Sequence, residues 1–113
     1  MEIDIELYET AHGTCPYEDW FDSLREERTQ VKIATRLDRL KMGNFGNCKP
    51  LGDGIAELRI DYGPGFRVYY SKIGNTIVLL LCGGDKKSQD KDIEKAKEYL
   101  REYRSRGKAY GKK

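Results

Sequence analysis

The sequence predicts an α+β fold: a small, mainly antiparallel sheet with two helices ahead of it and one behind. Three observations carry that prediction. Residues 3–7, 56–62 and 66–70 alternate apolar and polar side chains with the two-residue period of a half-buried strand. Residues 16–24, 31–43 and 88–106 carry apolar side chains at helical spacing. Between the second and third of these helical stretches lies "TIVLLLC", an uninterrupted apolar run expected of a central strand covered on both faces. At 113 residues the chain is the size of one domain with a modest core.

Each element has its own local reason. In "EIDIELYE" the residues Ile3, Ile5 and Leu7 alternate with acids, which gives a first strand. "HGTCPYEDWFDSL" opens a helix with Thr14 as N-cap and Pro16 just inside, followed by Trp20, Phe21 and Leu24. In "ERTQVKIATRLDRLKMG" the residues Val31, Ala34, Leu37 and Leu40 are expected on the buried face with Ile33, and Gly43 ends the helix. Lys32, Arg36, Arg39 and Lys41 fall on the opposite face. "IAELRIDY" and "FRVYYSKIGN" flank the turn "GPG" and form a meander. Ala56, Leu58, Ile60, Tyr62, Phe66, Val68 and Tyr70 point to one face of it; Glu57, Arg59, Asp61, Arg67, Tyr69 and Ser71 point to the other. The final helix starts after Ser88 as N-cap, buries Ile93, Ala96 and Leu100, and is expected to fray into a basic, flexible tail over residues 104–113.

Composition narrows the class. Charged residues make up 35% and hydrophobic ones 38%, a globular balance. Acids occupy the N-terminal positions where a signal peptide needs bases, and the longest apolar run is too short to cross a bilayer, so a soluble cytoplasmic protein is expected. Cys15, Cys48 and Cys82 are odd in number and lack CxxC spacing, which points to neither a disulfide framework nor a zinc site. Charge is divided unevenly along the chain. Residues 1–30 hold two basic and nine acidic side chains, a net −7; residues 31–80 hold eight and four (+4); residues 81–113 hold eleven and six (+5). Such a split suits a basic face offered to a polyanion, and equally an unevenly solvated surface.

The polar face of the meander is where chemistry could be assembled. Pairing across "DYGPGF" would align Glu57, Arg59, Arg67 and Tyr69, with Lys86 and Lys87 arriving from the end of the central strand. Arginine grips phosphate bidentately. Gly83 and Gly84 would let a backbone approach a ligand closely. The plainer alternative is a solvated sheet face that does nothing.

The blocks "GNFG", "ELRI", "GPGFRVYY" and "GGDKKSQDKDI" together resemble the toxins of type II toxin–antitoxin systems in the RelE/ParE superfamily, in particular the HigB-like "addiction module killer" group. The resemblance covers residues 15 to 103, so residues 1–103 are read as the toxin domain. It implies a RelE-like fold, a small twisted sheet with two N-terminal helices packed on it and a C-terminal helix. It also implies a messenger-RNA endonuclease of the ribosomal decoding site, in which the substrate 2′-hydroxyl attacks the adjacent phosphorus without metal or cofactor. By the same resemblance Arg67 is the transition-state arginine, Arg59 binds phosphate, Glu57 takes the hydroxyl proton, and Lys86 or Lys87 holds the scissile phosphate.

The match is incomplete at the proton donor. Ile93 stands where some relatives carry a tyrosine, and the single histidine, His12, lies in the N-terminal loop, which leaves Lys86, Lys87, Tyr69, Asp90 or no specific group as the source of the leaving-group proton. Glu57 has a simpler role open to it, an ion pair that keeps the arginines in place. Expected partners are a cognate antitoxin, in this group usually a helix-turn-helix repressor, and the ribosome with its messenger RNA. Lys32, Arg36 and Arg39, with Arg104 and Lys108 in the tail, are the expected RNA contacts. Two alternatives stay open: a ParE-like inhibitor that binds DNA gyrase, and a degenerate relative that only binds its antitoxin.

Overall fold

The computed structural model describes the backbone of residues 2–111 and the side chains of residues 2–106. The elements run β1 (Asp4–Leu7), α1 (Pro16–Ser23), α2 (Glu27–Lys41), β2 (Cys48–Gly52), β3 (Ile55–Ile60), β4 (Phe66–Ile73), β5 (Ile77–Asp85) and α3 (Gln89–Gly111). The class is α+β. Five strands form one sheet in the order β1-β5-β4-β3-β2, antiparallel except where β1 runs parallel to β5. β2 escapes the alternation rule because "CKPLG" is short and holds Pro50, a residue a sheet tolerates at its edge, and the edge is where β2 lies.

The helices are arranged differently from the expectation. α1 and α2 cover one face, where Tyr17, Ile33 and Leu40 pack on Leu58, Ile60, Val68, Tyr70, Val78 and Leu80. α3 covers the other, setting Ala96 and Leu100 on Ile55, Tyr69, Leu79 and Leu81. The face that carries Glu57 and Tyr69 is therefore roofed by a helix instead of facing water. α3 also runs on to Gly111, through the residues expected to form a separate tail. Within α2, Val31 is 57% exposed while Ile33 and Leu40 are wholly buried. A three-residue step turns a helix 60° short of a full circle, so Val31 and Leu40 lie on opposite sides; the buried stripe is Ile33, Leu37, Leu40. Thr14 is not the cap of α1. Cys15 holds that position, and the Thr14 hydroxyl pairs at 2.6 Å with that of Thr10.

A bulge in β5 settles what the double glycine is for. Tyr69 pairs with Cys82 and Tyr70 with Leu80, leaving Leu81 as the extra residue, so Leu81 and Cys82 both face α3. The next two positions then face opposite helices. A Cβ on Gly83 would run into the Trp20 ring of α1, and one on Gly84 into the Asp92 carboxylate of α3. These glycines admit helices, not a ligand. Gly83→Ala is expected to destabilise the fold by about 1–3 kcal/mol through overpacking, read as a lower urea midpoint with an unchanged m-value.

Candidate functional site

The site is built where β3, β4 and the end of β5 meet the first turn of α3. Cross-strand pairing sets Arg59 opposite Arg67 and Glu57 opposite Tyr69. Two arginines directly opposed repel one another. Glu57 offsets this: its carboxylate, fully buried, accepts from Arg59 Nε at 2.8 Å and lies 3.7 Å from Arg67 Nε. Its other oxygen accepts from Gln89 Nε2 of α3 at 2.7 Å. Burial alone would push the Glu57 carboxyl up, but the hydrogen bonds from Arg59 and Gln89 outweigh it and hold it below the usual glutamate range. The group stays ionised and its oxygens are occupied.

Arg67 is positioned more tightly than Arg59. Its side chain is 12% exposed against 34%, and its Nη1 donates to the Gly65 carbonyl at 2.9 Å. Its buried Nε makes no hydrogen bond. The buried Tyr69 hydroxyl is likewise without a hydrogen-bond partner: it is close enough to Glu57 to feel its charge, but the geometry leaves it unpaired. Burial first, and the Glu57 charge second, raise the Tyr69 pKa far above the ordinary phenol value. That hydroxyl keeps its proton at every physiological pH.

The lysines separate. Asp85 Oδ1 accepts from the Lys87 and Ser88 backbone N–H groups at 3.0 and 3.1 Å, fixing the tight turn out of β5. Lys86 then lines a cleft of about 420 Å³ with Arg67, Asp61, Tyr62 and the Gly63–Gly65 turn; Lys87 is exposed but does not line it. A second cleft of about 390 Å³, with Arg28, Lys32, Arg36 and Arg39 along one wall, shares Asp61 and Tyr62 with the first. Lys32 Nζ lies over the Tyr62 ring, 5.1 Å from its centre. The two clefts form one groove from α2 to Lys86.

Other expected residues lie apart. Asp90 is exposed on the first turn of α3, and His12 sits in the N-terminal turn. Arg36 is tied inward: Nη1 donates to the Arg59 carbonyl at 2.5 Å and Nη2 to that of Phe45 at 3.2 Å. Arg36→Ala is expected to cost about 2 kcal/mol of stability, whereas Arg39→Ala, exposed, should leave the melting temperature within a degree or so; thermal denaturation separates them. Arg104 reaches the Asp53 carbonyl at 3.5 Å, and the Lys108 side chain lies outside the described residues. Gln89 and Tyr62 were not anticipated. Neither type announces itself in sequence, although Gln89 falls one turn from the lysine pair and Tyr62 just before the "GPG" turn.

The family model described as "Phage derived protein Gp49-like (DUF891)" matches residues 19–101. The chain belongs to this family. Gp49-like proteins are a RelE/toxin-like family associated with toxin–antitoxin modules. A Haemophilus influenzae relative (strain ATCC 51907 / DSM 11121 / KW20 / Rd) described as "Uncharacterized protein" is 50% identical over 84 residues, which is 74% of this chain and 85% of the relative. The Gp49-like match spans every residue of the cluster, from Glu57 through Arg67 to Lys86 and Gln89. Among the described residues no helix is long and apolar enough to cross a membrane.

Proposed function

We propose that this Gp49-like chain is a toxin of the HigB-like group with a RelE-like fold, acting in the cytoplasm as a metal-independent, ribosome-dependent messenger-RNA endonuclease. The observation that carries the reading is the convergence of Arg67 and Lys86 on one cleft beside the Gly63–Gly65 turn. Cleavage forms a bond from the 2′ oxygen to phosphorus and breaks the bond to the 5′ oxygen. The 2′-hydroxyl gives up its proton to solvent water and the departing oxygen gains one, leaving a cyclic phosphate and a 5′-hydroxyl. Arg67 and Lys86 stabilise the charge that builds on the phosphorane, where preorganised cations act most strongly. Arg59, one third exposed, holds a neighbouring phosphate.

Glu57 is a positioning residue in this scheme. Its carboxylate is buried and fully engaged, which suits a clamp on two arginines better than a base that must reach a 2′-hydroxyl. Lys87, exposed and next in the chain to Lys86, supplies the proton to the departing oxygen. The strand of RNA is read along the groove past Tyr62 to Lys32 and Arg39 on α2, with the ribosome supplying the rest of the frame. An adjacent-gene repressor serves as antitoxin.

The test is induction in a bacterial host with mapping of messenger-RNA 5′ ends, on a reporter with its start codon and on the same reporter without it. In-frame ends confined to the translated reporter are expected. Growth arrest with no new ends on either would overturn the nuclease and direct attention to DNA gyrase.

A further inference from the structure

Apart from Arg28, the acidic N-terminal stretch takes no part in the site just described. It frames a groove of about 440 Å³ on the opposite face of the sheet, between the edge strand β1 and helices α1 and α2. The floor is apolar, made by Ile5, Leu7, Phe21, Leu37 and Leu80. Leu7 is 39% exposed, one of three large hydrophobic residues left so open among the described residues. Glu18 and Asp22 on α1 and Asp38 on α2 form the rim, with Lys41 as the one opposing charge. We propose that this groove is a docking surface for a cationic amphipathic helix of a partner protein.

Charge and shape select that occupant. An apolar trough between two helices accepts side chains spaced i, i+3, i+4 and i+7 from a third helix. Lysine and arginine stems flanking such a stripe lie along the apolar floor while their heads reach the acids of the rim. The three carboxylates repel nucleic-acid phosphate and anionic lipid alike. A second copy of the chain does not fit either. Its basic amphipathic helix is α3, whose apolar stripe is already buried on β4 and β5, and groove against groove would oppose acid to acid. Because Arg67 and Glu57 lie on the α3 face, a helix seated here leaves the cleft between Arg67 and Lys86 open. The inference does not rest on the nuclease reading.

The experiment is an unbiased selection. A randomised helical peptide library is displayed against the full chain, and enriched peptides are synthesised and titrated against wild type, Asp22→Lys/Asp38→Lys, Leu7→Ser and Arg67→Ala. All four altered positions are exposed or at the cleft, and circular dichroism with thermal melting checks that each variant is folded. Enriched peptides should carry an apolar stripe flanked by lysine or arginine and bind more weakly at high salt. They should lose about tenfold or more in affinity to the charge-reversed and Leu7 variants and bind Arg67→Ala like wild type. Failure to enrich, enrichment of acidic or unpatterned peptides, binding indifferent to the groove variants, or a dimer that those variants dissociate would each overturn the proposal.

Discussion

Arg67→Ala is expected to lower translation-dependent cleavage by two to three orders of magnitude, about the loss that follows removal of one preorganised donor from a developing oxyanion. The side chain is held at two points, by the Gly65 carbonyl through Nη1 and by the Glu57 carboxylate near Nε. A guanidinium fixed this way need not reorganise as charge develops on phosphorus. Arg67→Lys keeps one positive charge but not the fork, so it should restore only a small part of the rate. Cleavage is read from mapped 5′ ends at matched protein levels. Either variant also forfeits the bond to Gly65, about 1–2 kcal/mol of stability, so the comparison belongs well below the melting temperature. Undiminished cleavage by Arg67→Ala would remove this residue from the reaction.

Glu57→Ala is expected to be the most destabilising single change in the site, by about 2–4 kcal/mol in urea denaturation at neutral pH. Removing one partner of a buried ion pair leaves the other charges uncompensated, and here two guanidiniums lose the same carboxylate. The lower end of that range applies because Arg59 keeps a third of its surface in water. Glu57→Gln retains the shape and one acceptor and should fall between wild type and alanine. The pH dependence follows from the direction of the pKa shift. Glu57 is held below its unfolded value, so its contribution is complete above that value, near pH 4.3, and is lost as pH falls toward and through the lower folded value. Wild type should therefore lose stability more steeply than Glu57→Gln on acidification below about pH 4. Parallel acid limbs for the two proteins would show that the carboxylate is not held ionised by its neighbours.

Much of this architecture was legible residue by residue. The alternation in "IAELRIDY" and "FRVYY" placed Glu57, Arg59, Arg67 and Tyr69 on one face, and the strand register bears that out. The same alternation could not say what covers that face. Ile93, Ala96 and Leu100 announce an amphipathic helix, but amphipathicity carries no address, and only the sheet order reveals that α3 lies over Glu57. The bulge at Leu81 was invisible because every residue around it is apolar, so a change of parity leaves no trace in the pattern. For the same reason the glycines that follow were assigned to a ligand instead of to Trp20 and Asp92. Arg36 looked like its neighbours Lys32 and Arg39. Hydrogen bonds to two carbonyls from distant parts of the chain distinguish it, and no local signal encodes them.

The close approach at Gly83 and Gly84 makes the molecule a laminate whose middle ply is a bare backbone at one place. Elsewhere the gap between helix and sheet is filled by side chains from both layers. At these two positions it is filled from the helix side alone, so an indole and a carboxylate act as the spacers that set how far α1 and α3 stand from β5. Volume at position 20 and volume at position 83 are then shares of a single allotment: a methyl gained on the strand has to be given up by the ring. The spacing of three layers, and with it the exit of the chain toward Lys86, is decided by one such exchange on each side of the sheet.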